Sequence, residues 1–314
     1  MARINVNGVM LNVMEIAPRP GRQKRPGETP IVMIHGLAAS SAFWYAAGAP
    51  YLAAVGPVLL YDLRGHGKSE TPESGYGVVT MTADLGALLD AMGIGRAHLV
   101  AHSFGGMIAV LYALRNPDRV ASLIIADSRM RRIQSSLAIP LAKITPAIAR
   151  RLSLLGIEAD ALSRTDDGIG YLNSVARIQI AAEAEADEIM RAVYSHPQLF
   201  RSRRNAERWI RLTETVSLVS DLANEETFGP QELRQIGQPM LVLVGAKSST
   251  LPSARALAQL CPRAILREIP GVGHFFPISS PALFLKPALR FLRAVEAGGD
   301  RLETVMMRRR ALSD

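Results

Sequence analysis

The chain has 314 residues, 48% hydrophobic and 20% charged, with 25 Gly and 19 Pro; this composition supports a large globular core and excludes a disordered polar chain or a collagen-like repeat. A formal charge of +8 arises from 36 basic and 28 acidic residues, but the basic ones, 31 of them Arg, are scattered from Arg3 to Arg310 and only 5% of residues are aromatic, so no stripe or stacking platform for nucleic acid is visible. The single cysteine, Cys261, excludes an internal disulfide, and no Cys/His grouping has the spacing of a zinc site.

The opening residues MARINVNGVM lack the apolar core of a secretory signal, so a reducing cytoplasm is the expected location. Residues 4–16 read as two strands turning at Asn7-Gly8, and residues 19–28, rich in Pro, Gly and basic side chains, as a solvent loop. Residues 36–61 are uncharged, but Gly48, Pro50, Gly56 and Pro57 break them into a turn, a helix and a strand rather than a membrane span. Short apolar runs at 30–34, 57–61, 97–101, 121–126, 240–244 and 264–269 have strand length. The intervals between them, including 82–92 and 105–115, are long enough for crossover helices. Strands that are apolar on both faces require cover on both faces, so a mainly parallel sheet flanked by helices is expected, an α/β fold.

One interval is too long for a crossover. About 110 residues separate Asp127 from Gln238, with helical periodicity at 137–155 and charged helical stretches at 181–194 and 203–215. The expected organisation is a core of 1–127 and 239–297, a helical cap of 128–238 and a polar tail of 298–314. Arg129, Arg131 and Arg132 at the cap's entry, and Arg308 to Arg310 in the tail, read as solvated surface charge.

The sharpest local signal is Ala101-His102-Ser103-Phe104-Gly105-Gly106, where a strand runs into a serine and a helix follows. A serine on so tight a turn needs small residues two positions either side, here Ala101 and Gly105. Its hydroxyl is thrust out at the sheet's carboxyl edge, over a helix N-terminus that favours negative charge. With His35-Gly36-Leu37 after a strand, Asp62-Leu63-Arg64-Gly65-His66-Gly67-Lys68-Ser69 after another, and Gly271-Val272-Gly273-His274-Phe275 near the end, the chain resembles the α/β-hydrolase superfamily. The resemblance implies a mainly parallel eight-stranded sheet with an inserted helical cap, and it implies Ser103 as nucleophile, with the Leu37 and Phe104 amides as oxyanion hole.

A serine hydroxyl needs an adjacent base. Of six histidines, His35 and His66 sit in backbone-shaping loops, His98 lies within a strand, His102 precedes the serine and His196 belongs to the insert. His274 alone follows the last strand in a Gly-flanked loop, and is the expected base. After the strand at 240–244 the family usually carries Gly-x-x-Asp, whereas this chain has Gly245-Ala246-Lys247-Ser248. Asp127, 24 residues beyond Ser103 at the end of the preceding strand, occupies the position that haloalkane dehalogenases and some small esterases of the superfamily use. The expected triad is therefore Ser103, Asp127 and His274. The alternatives are that Asp127 caps the first insert helix, that Asp221 supplies the acid, and that Asp62 stabilises a loop.

His35 and Trp44, with Ile139, Leu141 and Ile144 of a stripe that continues through Ile148, Leu152 and Leu155, are the candidate pocket residues; packing of the cap onto the core is the competing reading of that stripe. The expected function is a serine hydrolase that cleaves a small-molecule ester or thioester with an apolar moiety, without metal or cofactor. Three rivals remain. A carbon-carbon hydrolase of vinylogous diketones often has Asn where this chain has His102; the others are a cofactor-free perhydrolase or haloperoxidase, and a non-catalytic ligand-binding member, which the missing acid at Ser248 would favour.

Overall fold

The computed structural model describes residues 2–17, 28–137, 144–157, 168–182, 185–193, 203–223 and 228–298. Its strands are β1 (Ala2–Val6), β2 (Val9–Ile16), β3 (Ile31–Ile34), β4 (Val58–Tyr61), β5 (Ala97–His102), β6 (Val120–Ala126), β7 (Met240–Gly245) and β8 (Ala264–Ile269). They form one eight-stranded sheet in the order β1-β2-β4-β3-β5-β6-β7-β8. The first hairpin turns where expected, with positive φ at both Asn7 (51°) and Gly8 (79°), the backbone that a two-residue turn needs to match the strand twist. β2 pairs antiparallel with β1 and β4, and every pairing from β4 through β3 to β8 is parallel.

Alternation along the parallel strands separates two cores. Val32, Ile34, Leu99, Leu123, Ile125 and Val242 face the layer that holds the helices Val78–Ala91 and Phe104–Arg115. Ile31, Met33, Val100, Ile124, Leu241 and Leu243 face the layer with the helices Ser41–Ala46 and Pro281–Ala297. These strands are buried on both faces, which is why their sequences lack polar alternation. At the far edge β8 exposes Arg267 and Glu268, and such charges blunt further strand pairing.

Residues 36–61 fold as the helices Ser41–Ala46 and Ala49–Leu52 and strand β4, and among the described residues no helix is long and apolar enough to cross a membrane. Between β6 and β7 lie the helices Pro146–Leu154, Ile169–Ala182, Ala186–Val193, Arg203–Thr215, Leu218–Ala223 and Pro230–Leu233. Among the described residues, the stretch expected to be helical over 137–155 holds the helix Pro146–Leu154. It starts at Pro146, whose ring suits only the first turn, with Thr145 Oγ1 accepting from the Ile148 amide at 3.3 Å. The helix expected from residue 82 instead begins at Val78.

At the amino edge of the sheet, buried His98 is used on both ring nitrogens, Nε2 with Glu296 Oε1 at 2.9 Å and Nδ1 with Ser122 Oγ at 2.7 Å. Hydrogen bonding from His98, working against partial burial, holds the Glu296 carboxyl below its usual range. The bonds tie β5, β6 and the last helix together. Ser122→Ala strands one of these nitrogens and is expected to lower stability by about 1–3 kcal/mol, measured by urea denaturation.

Candidate active site

The backbone at Ser103 has φ 53° and ψ −124°, between β5 and the helix Phe104–Arg115. Holding a non-glycine residue there costs on the order of 1–3 kcal/mol, and close packing sustains it. A Cβ at Gly105 would lie 2.6 Å from the Ile34 and His35 carbonyl oxygens, and one at Gly36 would lie 2.8 Å from Ser103 Cβ. The small residues read from the sequence thus let the turn after β3 press against the serine. Ser103 N donates to Ala126 O at 3.1 Å, which registers the turn against the end of β6.

One residue past that carbonyl stands Asp127, also at positive φ (52°) and only 1% exposed. Its carboxylate accepts from the Gly245 amide at 2.8 Å, from Thr250 Oγ1 at 2.7 Å and from Ser248 Oγ. It also accepts from His274 Nδ1 at 2.7 Å, while His274 Nε2 lies 3.1 Å from Ser103 Oγ. The three predicted residues therefore form one continuous hydrogen-bonded chain. The carboxylate faces the β7 loop and His274 rather than capping an insert helix. Ser248, at the position where the family usually has an acid, donates to Asp127; the signal for this in the sequence was a pair of hydroxyls, Ser248 and Thr250, just after β7.

Burial alone would raise the Asp127 carboxyl, but bonding from His274, Ser248 and Gly245 outweighs it and holds the group below its ordinary range. Asp62 stabilises its loop as expected, and the rival acid Asp221 is occupied elsewhere. Asp62 accepts from Ser41 N at 2.6 Å, Lys68 N at 2.8 Å and Asn12 Nδ2 at 2.8 Å. Asp221 accepts from the amides of Gly75 and Tyr76 at 2.9 and 2.8 Å and from Ser217 Oγ at 2.6 Å, which ties the insert to the segment after β4.

Leu37 and Phe104 are partly exposed beside the serine, and among the described residues neither amide donates to a protein acceptor. Ala38, at φ 58°, bends the chain directly after Leu37. His102 donates from Nε2 to the His274 carbonyl at 3.0 Å and stacks on Phe43 with ring centroids 4.4 Å apart. Burial, reinforced by His274, drops its pKa to about 3, so it is a neutral brace under the His274 loop.

Two expected pocket residues belong to the core instead. His35 is wholly buried, with Nδ1 donating to Gly36 O at 2.7 Å and Nε2 accepting from Leu63 N at 3.0 Å, so no ring nitrogen is left for a ligand. Trp44 is wholly buried between Phe43, His102 and Phe284. Ile144 is half-buried against the main core, and Ile139 and Leu141 lie outside the described residues. Among the described residues no three His, Cys, Asp or Glu side chains are grouped to hold a metal.

A family model described as alpha/beta hydrolase fold matches residues 29–281. The chain belongs to the α/β-hydrolase fold family. It is 29% identical over 278 residues to a Caulobacter sp. (strain K31) protein assigned by name as the carbamate hydrolase RutD, covering 83% of this chain and 90% of that one. It is 28% identical over 273 residues to the 2-hydroxymuconate semialdehyde hydrolase of Pseudomonas putida, covering 85% and 88%. The solved enol-lactonase of Burkholderia xenovorans LB400 superposes with a TM-score of 0.61 at 22% identity, over 93% of this α/β-hydrolase and 100% of that chain, a likeness of fold.

Because Asp127 titrates lower folded than unfolded, its contribution to stability is complete above the unfolded carboxylate range and is lost as pH falls through the lowered value. Asp127→Asn is expected to flatten the loss of stability between roughly pH 5 and pH 1, read from urea midpoints across that window.

Proposed function

We propose that this α/β-hydrolase is a serine hydrolase that cleaves a carboxylic ester or thioester through an acyl-enzyme. The observation that carries the reading is the unbroken chain from Ser103 Oγ through His274 to buried Asp127. In this reading His274 Nε2 takes the Ser103 proton as Oγ attacks the acyl carbon, and Asp127 fixes the ring with Nδ1–H inward and stabilises the imidazolium. The Leu37 and Phe104 amides receive the tetrahedral oxyanion, a contribution worth about 10² to 10³ in turnover for each donor. Collapse transfers the proton from His274 to the departing alcohol or thiol. Water then attacks the acyl carbon, losing its proton to His274, and Ser103 recovers that proton as the acid leaves. The helices between β6 and β7 act as a cap that selects the substrate.

Two features favour this reading over its rivals. The acid missing at Ser248, which would favour a ligand-binding protein, has its place taken by Asp127. His102 stands where carbon-carbon hydrolases often have Asn, and its ring braces His274. A second reading, carbon-carbon cleavage of a vinylogous diketone, draws support from the likeness to the Pseudomonas putida hydrolase. The name of the Caulobacter relative adds carbamates, acyl compounds open to the same attack.

A fluorophosphonate probe is expected to label Ser103 and to leave Ser103→Ala unlabelled. On a p-nitrophenyl ester, Asp127→Asn is expected to lose about 10⁴ in kcat and Ser248→Ala much less. Full turnover by Asp127→Asn, or turnover of a dienone in preference to any ester, would overturn the proposal.

A further inference from the structure

Thr250 stands at the N-cap of the helix Leu251–Leu260. Threonine is favoured at such positions because its side-chain oxygen can accept from an amide of the first helical turn, yet Thr250 makes no such bond. Its backbone, at φ −89° and ψ 1°, lies outside the extended region from which a side chain caps. The hydroxyl instead donates to Asp127 Oδ1 at 2.7 Å. Ser248 Oγ donates to the same oxygen and accepts from the Thr250 amide at 3.3 Å. Both residues are buried. The other carboxylate oxygen, Oδ2, accepts from the Gly245 amide at 2.8 Å.

Oδ1 is also the atom that accepts from His274 Nδ1, at 2.7 Å. Three donors thus share one oxygen and compete for its charge. Negative charge at Oδ1 favours protonation of the His274 ring, while each hydroxyl directs the positive end of its O–H dipole to the same spot. The hydroxyls therefore stabilise the carboxylate and oppose a positive charge on the ring beside it. Against burial, bonds from His274 and Ser248 hold the Asp127 carboxyl below its ordinary range. The other ionisable groups on the surrounding elements act elsewhere. His102, under the loop, is neutral and donates to the His274 carbonyl. Lys247 is exposed, and its amide donates to Val272 O at 2.9 Å. Arg129 donates to the Gln134 and Ser135 carbonyls, and Glu268 on β8 is paired with Arg255.

We propose that Ser248 and Thr250 are positioning residues that act through Asp127 on His274, fixing the oxygen that the ring faces and keeping His274 unprotonated, and so able to serve as a base, further into the acid range. The inference rests on the hydrolase reading for the reaction that His274 serves. Neither hydroxyl touches a reacting atom; both act on the shared oxygen. Two neutral donors do this without adding a second charge that would itself need burying. A threonine that served only the helix would cap it, whereas Thr250 leaves the first turn without a side-chain cap and spends its hydroxyl on Asp127.

The test records kcat/KM for p-nitrophenyl acetate from about pH 5 to about pH 9, the range in which an imidazole titrates, and follows the His274 ring by NMR over the same range. The proteins compared are the wild type, Ser248→Ala, Thr250→Val, Thr250→Ser and the double variant Ser248→Ala with Thr250→Val. The acid limb of the profile and the His274 titration are expected to move up together, by about half a pH unit in each single hydroxyl deletion and about one in the double variant, the scale of dipoles beside an ionised group. Thr250→Ser keeps its hydroxyl and is expected to follow the wild type. If the double variant does not fold, the two single deletions carry the comparison. A lower plateau with the limb and the ring titration unmoved or lowered shows hydroxyls that only support the loop; that result overturns the proposal and leaves the hydrolase reading standing. A raised His274 titration in a protein that hydrolyses no ester and takes no fluorophosphonate at Ser103 supports the positioning role and overturns the hydrolase reading.

Discussion

The site depends on a carboxylate held in the interior. A buried charge is costly unless hydrogen bonds replace its hydration, and Asp127 is surrounded by the Gly245 amide, the Thr250 and Ser248 hydroxyls and His274. The first three come from the end of β7 and the loop after it, the fourth from the loop after β8. Four donors converging from two loops leave the carboxylate with one arrangement, and that arrangement sets the face His274 turns to Ser103. The positive φ at both Ser103 and Asp127 follows from the same geometry. Each residue must turn sharply off the carboxyl end of its strand, and the strands are adjacent.

Around this centre three further histidines serve the backbone. His35 joins the turn after β3 to the loop after β4, His66 folds back on Arg64, and His102 supports the His274 carbonyl. Burial lowers all three below the usual imidazole range, so they add no positive charge around the site. The His274 ring is partly exposed, while the Asp127 side chain it bonds is buried. One side of the ring is fixed by a buried anion and the other meets a hydroxyl near solvent, the asymmetry that the proposed proton transfer requires.

The two-sided core explains why such strained turns persist. Strands packed against helix layers on both faces cannot slide without breaking the alternation of their side chains, so the carboxyl ends of β3, β5, β6 and β7 form a rigid rim. Loops on that rim carry the chemistry, and the helix Arg203–Thr215 from the long insert reaches over to the loop after β4 through Arg208.

Much of this was legible in the residues themselves. The apolar strand runs, the Asn7-Gly8 turn, the serine between small neighbours and the glycine-flanked His274 loop are local patterns, and local sterics and burial determine them. Asp127 could be singled out because the usual position held Ser248. Other features depended on which segments meet in space. The sequence marked His35 and Trp44 as neighbours of the site, but only packing put both inside the core, because being close along the chain says nothing about which way a side chain faces. The partnership of Ser248 and Thr250 with Asp127 joins residues more than a hundred positions apart, and the bond from Arg208 to Gly67 O joins residues still farther apart. Local pattern thus determined the fold and the candidate site residues, whereas the partners of each charge were decided by the tertiary structure, because electrostatic contacts act across distances that sequence order does not encode.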